Sequence, residues 1–235
     1  MKKLLAIASL LPQVASAATG YYLVSVYDVA GQASIDYKYW NAHYRDRRTA
    51  MPEIGFGYGV TERWYTEVYG SWIQFNGERT RYVGTSWQND FMLTQGQYDI
   101  DAALHTLVER GKDRGYSVEI GPVLQTQVWR TQINFNVFLQ REFDTGTASD
   151  TELVYQWQVK QRWKPWLQPG VQGFGEVGKW NDWKGVHEQS HRVGPALFGT
   201  VDAGRQQIKY EAAWLLGKNS DRRAKSFTMR VQYIF

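Results

Sequence analysis

The 235-residue sequence contains no cysteine. Disulfides, thiolate metal sites, covalent c-type haem and a cysteine nucleophile are thereby excluded, so packing and hydrogen bonds must hold the fold. Histidine, at 4, and methionine, at 4, are scarce, and proline is limited to 6. Long apolar runs are missing too. The leading candidate, Leu4–Val14, is broken by Pro12 and falls short of the roughly 20 residues a spanning helix needs. Strong charge of one sign is also lacking: 27 Lys and Arg face 23 Asp and Glu, a formal +4. Loss of Lys2 and Lys3 with an N-terminal leader would take two positive charges off that small excess, and no nucleic-acid partner is implied.

The leader is legible. Met1–Lys3 is basic, Leu4–Val14 is apolar, and Ala15, Ser16 and Ala17 form a small-x-small cleavage signal, which predicts residues 1–17 as a signal peptide of an exported chain. Residues 18–31 then read as a periplasmic lead-in, a partial strand or a small plug, and residues 32–235 as one domain.

Aromatic residues are plentiful, with 11 Trp, 15 Tyr and 10 Phe beside 22 Gly. They recur with period 2. In "TQINFNVFLQREF" Ile133, Phe135, Val137 and Leu139 alternate with polar residues apart from Phe138. In "TELVYQWQVKQRW" Leu153, Tyr155, Trp157 and Val159 do the same, and "RQQIKYEAAWLLG" repeats the arrangement. Successive side chains of a strand point to opposite faces, so each segment is two-sided. Turn signals delimit twelve such strands, at about 32–44, 52–61, 64–75, 81–93, 97–109, 115–128, 131–142, 151–163, 166–177, 190–201, 205–217 and 223–235, with ends uncertain by about two to four residues. Short connections such as "TER", "TQG" and "DAG" alternate with longer polar ones such as "YRDRRTAM" and "DTGTASD". The reading is all-β: a closed antiparallel transmembrane barrel of about 12 strands, an up-and-down meander. Trp64, Trp129, Trp163 and Trp166 fall at the short turns, where an interfacial girdle belongs.

With its leader, its alternating strands and the closing "FTMRVQYIF", the chain resembles the Gram-negative outer-membrane β-barrel proteins, a small porin-like or transporter-like class. "GYGVTERWYTEVYG" also looks like a strand-turn-strand of outer-membrane transporters. The resemblance implies outer-membrane location and contact with outer-membrane lipids and lipopolysaccharide. It further implies that Phe227, Met229, Val231, Tyr233 and Phe235 form the signal read by the barrel-assembly machinery.

Fixing the lipid face assigns the other face to the lumen. There the early strands carry Asp36, Lys38, Glu53, Glu67, Asp90, Asp99, Asp101, His105 and Glu119. The late strands carry Lys160, Arg162, Glu176, Arg192, Lys209, Glu211 and Arg230, with glutamines and asparagines between the two groups. Opposed signs across a pore would orient dipolar solutes; across a narrow interior the same groups would pair and knit it shut. Lumen glycines, among them Gly55, Gly57, Gly121 and Gly194, are expected to widen the bore, which favours a channel for passive diffusion of small polar or zwitterionic solutes, monomeric and without a cofactor. A non-conducting structural or partner-anchoring barrel is the main alternative. A third is a lipid or ester hydrolase, since turn-based pairing would set Ser86 beside His105 and His105 near Glu119, the ingredients of acyl transfer. His43, His187 and His191 sit in or beside outer loops, and the four-residue spacing of His187 and His191 suits a metal only on a helix, which "GVHEQSHRVG" does not support. Arg45–Arg48, Arg79, Arg81, Lys112, Arg114 and Lys184 form basic outer loops suited to lipid phosphate.

Overall fold

In a computed structural model, which describes residues 21–25, 30–45, 47–112, 115–146, 149–219 and 222–235, the chain is a closed antiparallel barrel. The expected signal peptide lies outside the described residues. The strands are β1 (Ala33–His43), β2 (Arg48–Thr61), β3 (Trp64–Phe75), β4 (Arg81–Met92), β5 (Ile100–Gly111), β6 (Tyr116–Val128), β7 (Thr131–Phe143), β8 (Glu152–Gln161) and β9 (Gln168–Lys179). They continue with β10 (Asp182–Trp183), β11 (Ser190–Ala203), β12 (Gln206–Asn219) and β13 (Arg222–Ile234). β10 is only a two-residue return on β9, so β11 pairs directly with β9 and twelve strands form the wall. β13 pairs with β12 on one side and β1 on the other, which closes the ring. Closure satisfies the backbone polar groups that lipid would leave unpaired.

The two faces of each strand part as the alternation requires. Ile54, Phe56, Val68, Trp87, Val108, Ile120, Phe135, Val193, Leu197 and Trp214 are exposed on the outside, whereas Asp36, Glu67, His105 and Glu119 are fully buried inside. This inversion of the soluble pattern leaves a broad apolar exterior, which needs lipid to cover it. On β13, Val231, Tyr233 and Phe235 face outward and Ser226, Thr228 and Gln232 inward, and Phe235 exchanges hydrogen bonds with Ala33 at 2.9 and 3.1 Å. Trp129, Trp163 and Trp166 stand exposed at the short-turn end, with the Lys164 ammonium 5.1 and 5.3 Å from the last two rings.

Two details differ from expectation. The β12–β13 pairing runs past the expected strand ends at 217 and 223, because Lys218 pairs with Arg223 and Asn219 with Arg222. The lumen glycines do not widen the bore. A Cβ on Gly57 would lie 1.9 Å from the Tyr65 hydroxyl and one on Gly55 2.5 Å from Glu67 Oε1, so neighbouring large side chains already fill the space. Gly121 and Gly194 instead lie against the next strand, where a Cβ would meet the Val137 and Trp214 carbonyl oxygens at 2.0 and 1.8 Å. Pro122 and Pro195 follow these two glycines and supply no N–H to the ladder.

Candidate functional site: the lumen

At mid-height the charged residues of the early strands pair. Gly55 of β2 leaves room for Glu67 of β3 to reach across toward β1, where its Oε1 lies 3.1 Å from Lys38 Nζ. The Lys38 ammonium also sits 4.1 Å from the centre of the Tyr69 ring. Arg230, opposite Lys38 in the β1–β13 register, donates from Nε to Asp36 Oδ2 at 2.6 Å and approaches Glu67 Oε2 at 3.7 Å. Glu53 is the partner of Lys38 across β1 and β2. Charges removed from water persist only when so matched.

A second group spans β4, β5 and β6. His105 Nδ1 lies 2.6 Å from Asp90 Oδ1 and Nε2 lies 3.3 Å from Glu119 Oε1, with Gln88 Nε2 donating to Asp90 Oδ2 at 2.7 Å. The Phe138 ring covers the imidazole at 4.7 Å between centroids. The expected serine row is therefore not assembled. Asp90, not Ser86, stands across from His105, and Ser86 faces Glu109, donating to its Oε2 at 3.1 Å. The β4–β5 connection runs from Leu93 to Asp99, longer than the tight turn expected, and this shifts the register.

Across the barrel, amides replace charges. Asn134 Nδ2 and Gln132 Nε2 both donate to Gln125 Oε1 at 2.9 Å, and Gln172 Nε2 donates to Gln158 Oε1 at 3.0 Å. Above them Tyr21–Ser25 runs inside the barrel, with Tyr22, Leu23 and Val24 buried. Val24 packs with Met92, Ala103, Val123, Phe138 and Val154. Tyr21 lies edge-on to Trp40 and Phe174, at 5.2 and 5.6 Å, under the Arg192 guanidinium at 4.1 Å. Arg192 is in turn held by Ser226 Oγ at 3.0 Å and the Tyr44 hydroxyl at 3.2 Å.

Below this crossing lies a cavity of about 680 Å³, at the short-turn end. Asp99 and Asp101 line one side. Lys160, Arg162, Lys209, Glu211 and Arg230 line the other, and Leu23 and Ser25 form part of its lining. Asp99 precedes β5 and Arg162 follows β8, so both stand at the exposed mouth. Asp101 accepts from the Gly96 N–H at 2.5 Å, Lys160 lies 5.3 Å from the Phe198 ring, and an Arg162 nitrogen donates to Gln127 Oε1. The expected lumen residues thus divide between a paired layer and an open one, with Arg230 in both. Among residues outside the expected set, Glu109 has the same inward phase as Asp101 and His105. Its alternation is present in the sequence, at the last residue of the expected strand 97–109. Tyr21 and Val24 carried no periodic signal at all. Of the histidines expected in or beside loops, His191 lies in β11 and bonds the Tyr155 hydroxyl at 2.9 Å and Gln189 Oε1 at 2.8 Å, and His43 ends β1 and bonds the Arg48 side chain.

No family model and no curated protein matches the chain. Among solved structures it is similar to the translocator domain of the autotransporter NalP from Neisseria meningitidis, with 11% identity, 88% of this chain and 89% of that one covered, and a TM-score of 0.51. Weaker likenesses are a bacterial polysaccharide outer membrane secretin, at 9% identity, 88% and 100% coverage and a TM-score of 0.46, and the CymD monoaromatic hydrocarbon channel, at 6%, 88% and 88%, and 0.44. A closed antiparallel barrel with an apolar exterior and a charged, amide-rich interior is the architecture of outer-membrane β-barrels, and the chain has that fold.

Proposed function

We propose that the barrel passes small polar or zwitterionic solutes by passive diffusion, and that Tyr21–Ser25 is the obstacle which must shift for passage. The observation that carries this reading is the cavity at the short-turn end, periplasmic by the loop-length rule. There Asp99 and Asp101 lie across the cavity from Lys160, Arg162, Lys209, Glu211 and Arg230. A lining of opposed fixed charges sets which ions and dipoles enter.

The test is conductance in planar bilayers, comparing the full chain with a variant lacking residues 21–25. The deletion is expected to raise single-channel current well above that of the full chain. A deletion barrel that folds yet stays silent across salt and pH removes the channel reading. A second reading, a non-conducting barrel that stabilises the envelope, draws on the paired mid-height layer and would then stand. In either reading the outward row Phe227, Met229, Val231, Tyr233 and Phe235 is the proposed assembly signal, and Arg47, Arg48, Arg79 and Arg81 are proposed contacts for lipopolysaccharide phosphate.

A further inference from the structure

The inner segment is held mainly by its backbone. Val24 donates its N–H to Gln156 Oε1 at 3.3 Å and accepts at its carbonyl from Asn136 Nδ2 at 3.0 Å. The two wall amides are register partners on β7 and β8 and bond each other at 3.2 Å. Together they engage both polar groups of one residue, a form of recognition that any extended chain can satisfy whatever its side chain. Thr228 Oγ1 repeats the theme on the other side of the lumen, donating to the Tyr21 carbonyl at 2.9 Å. Asn136 Oδ1 is buried and has no partner among the described residues, so the site holds an unused acceptor. A buried acceptor without a donor is costly, and a further N–H would relieve it.

From this clamp the amide ladder descends. Gln158 and Asn134 are 3.5 Å apart, Gln172 adjoins Gln158, and Gln132 adjoins Gln125 at the cavity wall. The cavity itself offers Asp99 and Asp101 on one side and, on the other, a mainly cationic wall of Lys160, Arg162, Lys209 and Arg230 that also carries Glu211. Its volume falls within the range of small-molecule sites.

We infer that the lumen is a binding path for short peptides: Asn136 and Gln156 read a backbone peptide unit, Asp99 and Asp101 take a terminal ammonium, and Lys160, Arg162 and Lys209 take a terminal carboxylate. Tyr21–Ser25 is a tethered stand-in for that ligand and competes with it. The inference rests on the channel reading for its biological setting, but the site is testable without any current.

The probe is tetra-alanine with free termini, titrated calorimetrically into the purified barrel and compared with maltotriose. Deleting residues 21–25 is expected to strengthen tetra-alanine binding by about tenfold or more, because a competing segment held by several hydrogen bonds is removed. In the deletion background, Asn136→Leu with Gln156→Leu is expected to weaken binding by roughly tenfold, the scale of two lost hydrogen bonds. Should the double variant fail to fold, Val24→Pro in the full chain leaves the wall sequence intact and removes the segment's N–H donor. It is expected to strengthen peptide binding, and unchanged affinity overturns the inference. Maltotriose binding as tightly as tetra-alanine, or ion current through the deletion barrel with no peptide binding, also overturns it and leaves the channel reading in place. Peptide binding without current in any variant supports the site and removes the channel reading instead.

Discussion

The mid-height layer and the cavity below it use the same residue types to opposite ends. Around Lys38, Glu67, Asp36 and Arg230, opposite charges are drawn to within hydrogen-bonding distance, and the first three side chains are buried. A few residues further toward the short turns, Asp101 and Lys160 line a cavity from opposite walls, the Lys160 wall being mainly cationic with Glu211 among its residues. What separates the regions is filling: Gly55 and Gly57 admit Glu67 and Tyr65 into the layer above, and the inner segment plugs what remains. A charge inside a barrel is therefore no guide to conduction until its neighbours' volumes are known.

If that division is right, substitutions in the closed layer act on stability and those in the cavity act on permeation. The largest expected effect is Glu67→Leu, which strands the buried Lys38 ammonium and should cost about 3–5 kcal/mol, the scale of breaking a buried ion pair from one side. Urea unfolding of the barrel refolded in lipid vesicles measures it, and a loss below about 1 kcal/mol would place the pair in water. Next, Gly57→Val sets a branched side chain where the Tyr65 hydroxyl lies and should cost about 1–3 kcal/mol by overpacking. Wild-type stability in the same assay would mean that Tyr65 swings aside freely. Asp90→Ala removes the acceptor of both His105 and Gln88 and should cost about 1–3 kcal/mol in the same unfolding experiment, as buried donors lose their partner. The smallest stability effect belongs to the cavity: Lys160→Gln should stay within about 0.5 kcal/mol of wild type. In reversal-potential measurements on the barrel lacking residues 21–25, that substitution should nonetheless move the ion preference toward cations. A stability loss as large as that of Glu67→Leu, with unchanged selectivity, would erase the distinction between the two regions.

The architecture was legible because a strand leaves a period that sequence displays. β3 runs from Trp64 to Phe75, as its alternation and flanking turns indicate, and Asp36, Lys38, Glu119 and Arg192 all point inward as their phase requires. Pairing across turns was less accessible. The register of β4 on β5 depends on how residues 93–99 are spent, and this decides whether Ser86 or Asp90 meets His105. Least accessible was the crossing of Tyr21–Ser25, since an irregular segment has no period and its partners Asn136, Gln156 and Thr228 lie more than a hundred residues away. The glycines misled for a related reason. An absent side chain shows in sequence, but the neighbour that takes its place does not.

The Arg230–Asp36 contact joins residues 194 positions apart, and it lies on the seam where β13 meets β1. The other hydrogen-bonded strand pairs of the wall join neighbours in chain order, apart from the short β10 detour, and can form by local zippering. The seam must wait until both ends of the sheet arrive, and non-local contacts of this kind set the pace of folding. Arg230 and Asp36 thus belong to the slow step: removing their attraction should lengthen the time an open-edged sheet persists in the membrane, whatever it does to the finished barrel.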